Sequence, residues 1–137
     1  MKSEVTPFPT VLIVEDDTFL VGMYVAKLEL EHFQTVIATE GEQGLRMAKD
    51  KRPDLILLDI RLPKMDGFVV LEQLKIDPVT RPIPVIMLTN LGEKKDIERG
   101  LALGANDYLI KAHFMPSEVI ERIKKVIRDT RTLRSIG

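Results

Sequence analysis

Residues 53–67 read PDLILLDIRLPKMDG, and the architecture can be worked out from this stretch. The four residues Leu55 to Leu58 are apolar without alternation, and Asp59 follows them directly. Such a run is typical of a strand that is covered on both faces of a sheet. A carboxylate directly after a buried strand is costly without a partner. Asp59 is therefore the first candidate for a functional residue.

Four further segments repeat this pattern along the chain. Residues 11–14, 85–88 and 109–110 are also uniformly apolar, whereas residues 35–39 are flanked by threonines and suit a sheet edge. The stretches between these five strands carry apolar residues at helical spacing, most clearly over residues 119–127. Strands that alternate with helices at short intervals predict an α/β domain with a parallel sheet between two helical layers.

The helix predicted at about residues 93–103 has the weakest pattern. Its main apolar anchors are Ile97 and Leu101, and Gly100 interrupts it at a cost of about 1 kcal/mol. Asn90, with Glu93 three residues later, predicts the cap at its start. We expect this helix to be the most mobile element of the domain.

Composition narrows the possible classes of function. The chain has 137 residues, with 20 Lys plus Arg against 21 Asp plus Glu, which fits one domain without a strong charge that would indicate nucleic-acid binding. The absence of Cys excludes disulfides, a thiol nucleophile and a thiolate zinc site. His32 and His113 have no metal-ligand spacing. Without a membrane-spanning run or a secretory signal, we expect a cytoplasmic protein.

Polar residues follow the predicted strands where each one ends, and in open parallel sheets the ligand site lies at that edge. These residues are Glu15, Asp16 and Asp17, then Asp59, Thr89 and Lys111. Together with the stretches VLIVEDD, LILLDIRLPKMDG, VIMLTN and DYLIK, the set resembles the receiver domain of two-component response regulators, the family of the bacterial chemotaxis regulator. The resemblance implies a flavodoxin-like, doubly wound sheet of five parallel strands in the order 2-1-3-4-5, with helices on both faces.

The resemblance also implies a metal-dependent phosphoacceptor site. Asp59 matches the phosphoacceptor, Glu15 and Asp16 match the acidic pair, and Arg61 matches the residue whose backbone carbonyl completes the metal site. The expected cofactor is Mg²⁺ or Mn²⁺. Elementary electrostatics agrees, because clustered carboxylates repel one another unless a cation lies between them, and Mg²⁺ prefers oxygen ligands.

Three other residues match the family's switch. Thr89 and Lys111 correspond to the groups that contact the phosphoryl group, and Tyr108 corresponds to the switching aromatic residue. The family usually has a proline with a cis peptide bond after the lysine, where this chain has Ala112. A cis bond before a non-proline residue costs about 2.5 to 4 kcal/mol. Either this bond is cis, or it is trans and the loop differs from the family's.

The resulting hypothesis is a stand-alone response regulator, with a receiver domain at residues 11–131, an N-terminal extension at 1–10 and a C-terminal tail at 132–137. It would accept a phosphoryl group on Asp59 from a sensor histidine kinase or a histidine phosphotransfer protein. The face formed by the fourth helix, fifth strand and fifth helix would then control an unknown output protein in trans. We expect no turnover enzyme, no contact with nucleic acid or membrane, and a monomer or weak phosphorylation-dependent dimer.

Three alternatives belong to other classes. A phosphohydrolase of the haloacid dehalogenase type would carry a second Asp two residues after its nucleophile, where this chain has Arg61. A flavodoxin would carry a phosphate-binding loop after the first strand, where this chain has three acidic residues. The main alternative is a receiver-like interaction module that is never phosphorylated, because Ala112 departs from the family pattern.

Overall fold

The computed structural model describes residues 8–136, with side chains up to residue 132. Five strands alternate with five helices. The strands are β1 (Thr10–Val14), β2 (Gln34–Ala38), β3 (Leu55–Leu58), β4 (Val85–Thr89) and β5 (Asp107–Ile110). The helices are α1 (Thr18–Leu30), α2 (Gly41–Lys51), α3 (Gly67–Ile76), α4 (Lys94–Ala102) and α5 (Pro116–Ile136).

All strand pairs are parallel, and the strand order is β2-β1-β3-β4-β5. The predicted flavodoxin-like, doubly wound fold is confirmed. Because the order reverses at β1, that strand lies between β2 and β3, and the carboxyl ends of β1 and β3 are neighbours. This is the point at which open α/β sheets place their ligand sites.

Two apolar layers hold the sheet. Val11 and Ile13 of β1 face a cluster that includes buried residues of α1 and α5, and Leu12 and Val14 face the opposite cluster. The opposite cluster contains buried residues of α2 and α3. Strand residues that point alternately to two apolar layers explain the uniformly apolar sequence of each inner strand.

Helix α4 is attached differently from the prediction. Leu101 is 47% exposed, so its prediction as an anchor is wrong, and the buried residue of this helix is Gly100. A Cβ at Gly100 would lie 2.9 Å from Cδ2 of Tyr108, which means that the glycine admits the tyrosine ring against the helix backbone. The predicted Asn90 cap is also wrong, because Glu93 is the N-cap residue and provides no side-chain cap.

Aspartates cap two of the helices that begin at the polar edge of the sheet. Asp17 accepts a hydrogen bond from the Leu20 amide at 3.1 Å at the start of α1. Asp66 accepts hydrogen bonds from the Phe68 and Val69 amides at 2.8 and 3.1 Å at the start of α3. These caps fix the loops that follow β1 and β3, because they satisfy backbone amides that lack a partner within the helix.

The ends of the chain leave the predicted boundaries untested. Thr10, the last residue of the predicted extension, is the first residue of β1, and residues 1–7 lie outside the described residues. Helix α5 continues through residue 132 to Ile136. The domain limits 11–131 remain a prediction.

Candidate functional site

The parallel sheet gathers five of the predicted site residues along one edge. Glu15 and Asp16 follow β1, Asp59 follows β3, and Thr89 is the last residue of β4. Lys111 follows β5, although 52 residues separate it in sequence from Asp59 and 96 from Glu15. Because β1, β3, β4 and β5 are consecutive neighbours in the sheet, residues far apart in the chain come together.

The Lys111 ammonium is the centre of the site. Its Nζ donates hydrogen bonds to Glu15 Oε1 at 2.7 Å and to Asp59 Oδ2 at 3.0 Å. Both carboxylate side chains are 6% exposed, and the Lys111 side chain is 17% exposed. Charge-assisted hydrogen bonds of this length in a shielded site are stronger than neutral ones. The Lys111 ammonium therefore links the carboxyl end of β5 to the carboxyl ends of β1 and β3.

The bond between Lys111 and Ala112 is trans, since residues 8–136 contain no cis peptide bond. Of the two alternatives for this loop, the cis form is wrong. The chain instead enters a short 3-10 helix, Lys111–His113, directly after β5. Lys111 still reaches both carboxylates, so the absence of proline does not remove the ammonium from the site.

Backbone amides hold the second oxygen of each buried carboxylate. Asp59 Oδ1 accepts a hydrogen bond from the Ile60 amide at 2.7 Å, and Glu15 Oε2 accepts one from the Asp17 amide at 3.1 Å. Each carboxylate is therefore fixed at one oxygen by its own loop and at the other by Lys111. Asp59 keeps 6% of its surface exposed beside the exposed Asp16.

The charges of the site act on one another. Burial raises the pKa of the Glu15 carboxyl, the Lys111 hydrogen bond opposes that rise, and the charge of Asp59 adds to it. Burial acts to lower the pKa of the Lys111 ammonium, but its hydrogen bond to Glu15 and the charge and hydrogen bond of Asp59 outweigh burial and raise it. When Glu15, Asp16 and Asp59 are all ionised, one ammonium leaves two negative charges uncompensated.

A divalent cation matches this excess of negative charge. Glu15, Asp16 and Asp59 each offer one oxygen, and these atoms all lie within 4.8 Å of one another. A hard cation such as Mg²⁺ takes one or two carboxylates and keeps several water ligands. The donor set therefore fits Mg²⁺ or Mn²⁺. The side chain of Arg61 is exposed in the loop after β3, and the part of its carbonyl as a ligand remains a prediction.

Thr89 and Tyr108 meet at the loop that follows β4 instead of at the carboxylates. Thr89 is fully buried, and its Oγ1 accepts a hydrogen bond from the Leu91 amide at 3.3 Å. The Tyr108 hydroxyl donates to the Leu91 carbonyl at 2.6 Å. Leu91 thus links the two predicted switch residues through its backbone. The residue types gave no signal for this link, because any amino acid offers the same backbone groups.

Gly67 is a further residue of the site that the sequence did not reveal. A Cβ at this position would lie 2.2 Å from the carbonyl oxygen of Asp59 and 2.6 Å from Cα of Ile60. The Gly67 amide donates to the Ile60 carbonyl at 2.8 Å. The start of α3 therefore folds back against the backbone of the Asp59 loop. No sequence pattern reveals this close approach, because it depends on how the start of α3 packs against the Asp59 loop in the folded chain.

Comparison with known proteins identifies the family. Residues 11–124 match the response regulator receiver domain. The chain belongs to this family, and the expected resemblance is confirmed. Receiver domains bind Mg²⁺ in an acidic pocket and take phosphoryl groups from histidine kinases. Within residues 8–136, no helix has both the length and the apolar character needed to cross a membrane.

Two curated relatives are transcriptional regulators. The chain is 39% identical over 122 residues to the DNA-binding dual master transcriptional regulator RpaA of Synechocystis, with coverage of 89% of this chain and 50% of the relative. It is 42% identical over 118 residues to the phosphate regulon transcriptional regulatory protein PhoB of Escherichia coli, with coverage of 86% and 51%. The chain spans about half the length of these relatives.

Two solved structures are also similar. A CheY-like receiver domain protein from Methanospirillum hungatei superposes with a TM-score of 0.83 at 29% identity, covering 91% of this chain and 98% of the other. The receiver domain of the sensor histidine kinase PA1611 from Pseudomonas aeruginosa gives 0.79 at 31% identity, covering 88% and 98%. The latter structure has a magnesium ion coordinated in its active site cleft.

Proposed function

We propose that Asp59 accepts a phosphoryl group from a phosphohistidine donor, and that the resulting change on the surface of α4, β5 and α5 controls an output protein in trans. The observation that carries this proposal is the position of Asp59 at the centre of the polar edge. Its carboxylate lies 3.0 Å from Nζ of Lys111 and within 4.8 Å of ligand oxygens from Glu15 and Asp16. The donor is a sensor histidine kinase or a histidine phosphotransfer protein.

The chemistry requires a nucleophile and neutralisation of charge. An oxygen of ionised Asp59 attacks the phosphorus, the new P–O bond forms as the P–N bond breaks, and the imidazole nitrogen keeps the electron pair. No general base is required, because the ionised carboxylate carries no proton. Lys111 neutralises negative charge on the transferring oxygens. Bound Mg²⁺, held by Glu15, Asp16 and Asp59, would supply further charge neutralisation there.

The phosphorylated protein is the signal and not a turnover product. Hydrolysis of the aspartyl phosphate restores Asp59, so the chain acts as a phosphoacceptor that assists its own loading and unloading. We propose that this reaction takes place in the cytoplasm.

The switch follows from a change of hydrogen-bond partner at Thr89 and at Lys111. Thr89 gives up the Leu91 amide and binds a phosphoryl oxygen, and Lys111 turns from Glu15 to the phosphoryl group. Hydrogen bonds to charged groups are worth about 1.5 to 3 kcal/mol each. Moving an equilibrium from 1:99 to 99:1 takes about 5.5 kcal/mol. Two such contacts therefore supply most of the shift, and the Leu91 backbone carries it to Tyr108.

The moving surface begins at α4. This helix has a glycine as its buried residue, and the Tyr108 ring packs against it. A change at Leu91 alters the hydrogen bond that holds the Tyr108 hydroxyl, so the ring and α4 respond together. We propose that an output protein recognises this face in a protein that is monomeric or dimerises weakly when phosphorylated.

The curated relatives favour a second candidate for the output. RpaA and PhoB are transcriptional regulators, and this chain spans half of RpaA and 51% of PhoB. In that case the receiver would control an attached DNA-binding segment. Measuring the mass of the native polypeptide decides between the two. A mass near the 15.6 kDa of this chain supports output in trans, and a mass about twice as large supports an attached domain.

Incubation with acetyl phosphate and Mg²⁺, followed by intact-mass measurement, tests the phosphoacceptor. We expect one phosphoryl adduct that is absent from Asp59→Asn and present in Asp54→Asn, a control that removes a carboxylate from the opposite end of β3. No adduct on the wild-type chain, and no response to beryllofluoride, would leave the module that is never phosphorylated as the better account. To test the coupling, Thr89→Ala should abolish phosphorylation-dependent binding of the partner.

A further inference from the structure

The side chain of Arg99 reaches from α4 to α3, where its guanidinium lies over the ring of Phe68. The guanidinium carbon Cζ is 4.3 Å from the centre of the ring. This distance is typical of a cation–π contact, in which the negative face of an aromatic ring attracts a cation. Phe68 is only 4% exposed and belongs to the apolar core, whereas Arg99 is an exposed residue. The contact therefore attaches the surface helix α4 to a residue of the core.

Phe68 lies in a part of the domain that is fixed against the phosphoacceptor loop. It follows Gly67, at which a Cβ would lie 2.2 Å from the carbonyl oxygen of Asp59. Its amide donates a hydrogen bond at 2.8 Å to Asp66, the N-cap residue of α3. Its ring packs in the apolar layer that contains buried residues of α2, α3 and the sheet. A ring held in this way has little freedom to follow the movement of a neighbouring helix.

Helix α4 is the element that moves in the proposed function. Gly100 is its buried residue, and β5, which carries Tyr108, is the element that it packs against most closely. A change at Leu91 moves the Tyr108 ring and α4 together. Arg99 directly precedes Gly100, so a displacement of the helix carries the guanidinium with it. The contact with Phe68 thus joins an element that moves to an element that stays in place.

A contact between a moving and a fixed element differs in strength between the two states of the switch. While Thr89 and Tyr108 both bind the Leu91 backbone, the Arg99 guanidinium lies over the Phe68 ring. A cation–π attraction weakens as the cation leaves the face of the ring. Movement of α4 therefore loses this attraction, and the contact favours the state in which α4 has not moved.

We propose that Arg99 restrains the switch, because its contact with Phe68 holds α4 in the position of the unphosphorylated protein. The phosphoryl group on Asp59 has to overcome this contact when it draws in Thr89 and Lys111. An exposed cation–π contact of ordinary strength shifts such an equilibrium about two- to fivefold. This inference rests on the proposed function, because it requires α4 to move upon phosphorylation of Asp59.

The first test measures the affinity for beryllofluoride in the presence of Mg²⁺. The chain has two tyrosines and no tryptophan, so the fluorescence of Tyr108 follows the titration in a Tyr24→Phe background. While the switched form is the minor one, the apparent affinity rises in proportion to its fraction. We expect Arg99→Gln, which removes the cation, to bind beryllofluoride about two- to fivefold more tightly than the wild type. Arg99→Lys, which keeps the charge, should bind with an affinity between these two.

Two controls separate this contact from a simple effect of charge. Lys95 is an exposed cation on the same helix and pairs with Glu93 at 3.7 Å. Lys95→Gln changes the charge as Arg99→Gln does, and because loss of a cation disfavours an anionic ligand, it should not tighten beryllofluoride binding. Phe68→Leu removes the aromatic ring, so Arg99→Gln should have no further effect on the affinity in a Phe68→Leu background. Thermal unfolding confirms that each variant is folded.

The second test is urea denaturation with and without saturating beryllofluoride and Mg²⁺. Without the anion, Arg99→Gln should unfold at a lower urea concentration than the wild type, because the native protein has lost a contact. With the anion bound, the wild type has already given up this contact, so the two midpoints should coincide. A contact that persists in both states would instead lower the midpoint of the variant equally under both conditions.

The two failures can be told apart. If the wild type binds beryllofluoride and Arg99→Gln binds it no more tightly, Arg99 does not restrain the switch, and the proposed function still stands. An equal loss of stability with and without the anion would overturn the inference in the same way. If the wild type neither binds beryllofluoride nor forms a phosphoryl adduct, the proposed function fails, and this inference fails with it.

Discussion

Replacing Lys111 with methionine removes the ammonium that lies between two buried carboxylates. The wild-type Nζ is 2.7 Å from Glu15 and 3.0 Å from Asp59, and methionine keeps much of the apolar stem without the charge. The variant therefore isolates the contribution of the ammonium to the free energy of unfolding. It also shows how far the ammonium weakens the binding of a metal ion to the same carboxylates.

The structure sets the magnitude. Ligand oxygens of Glu15, Asp16 and Asp59 lie within 4.8 Å of one another. At that distance two negative charges repel by about 3.5 kcal/mol at an effective dielectric constant of 20. Removal of one partner from a buried ion pair typically costs about 3 to 5 kcal/mol. We expect the free energy of unfolding of Lys111→Met to fall by about 3 kcal/mol in metal-free buffer at neutral pH.

Magnesium should reverse much of this loss. In the wild type the cation competes with Lys111 for Glu15 and Asp59, whereas in Lys111→Met it has no competitor. Addition of Mg²⁺ should therefore raise the unfolding free energy of the variant more than that of the wild type, because binding to the native state stabilises it by mass action. Urea denaturation with and without Mg²⁺ measures both quantities.

A matched control uses an exposed lysine. Lys125 pairs with Asp129 at 3.1 Å on α5, with side chains that are 63% and 56% exposed. Lys125→Met should lower the unfolding free energy by no more than about 0.5 kcal/mol and leave the response to Mg²⁺ unchanged. The reasoning is refuted if Lys111→Met is as stable as the wild type without metal, or gains no more from Mg²⁺.

Three further predictions concern glycines and the switching tyrosine. Gly67→Ala should cost about 1 to 3 kcal/mol in urea denaturation and slow phosphorylation, because the new methyl group would meet the Asp59 carbonyl at 2.2 Å; an unchanged midpoint would contradict the close approach. Gly100→Ala gains about 1 kcal/mol of helix propensity, but the new methyl group displaces the Tyr108 ring. Because these effects oppose each other, the free energy of unfolding should change little. The fluorescence of Tyr108, measured in a Tyr24→Phe background, should change. Burial, with smaller effects of nearby carboxylates, raises the pKa of Tyr108 to about 12. Tyrosinate absorbance in Tyr24→Phe should therefore titrate near 12 and not near 10.0, and the stability from the neutral phenol should be lost as pH rises between these values.

Most of the fold followed from hydrophobic pattern. A uniformly apolar run such as Leu55–Leu58 requires cover on both faces, and strands of that kind leave few alternatives to a parallel sheet between helices. Helix α4 was the exception. Leu101 matched the helical spacing but is exposed, because the helix is attached at Gly100, where the absence of a side chain admits a ring from β5.

The sequence predicted the site residues that follow the ends of strands. It did not predict the contacts that are made by backbone groups. Asp59 and Lys111 follow apolar runs, and the topology of a parallel sheet brings such residues to one edge. The Leu91 carbonyl that accepts the Tyr108 hydrogen bond is a group that every residue type offers. A glycine such as Gly67 can occur in any turn, so its close approach to the Asp59 loop has no sequence signal of its own. The state of the Lys111–Ala112 bond also required the structure, because the sequence permitted both isomers.

The contact between Gly100 and the Tyr108 ring couples the binding of a partner on the outer side of α4 to the position of the ring on the inner side of this helix. A partner that binds only the outer side of α4 fixes the helix backbone. The position of the backbone then determines the space that the Tyr108 ring can occupy. Linkage is reciprocal for binding free energies, so whatever factor phosphorylation adds to the partner's affinity, the bound partner adds to the stability of the phosphorylated form. At equilibrium, the recipient of the signal would in this way favour the phosphorylated form that it recognises.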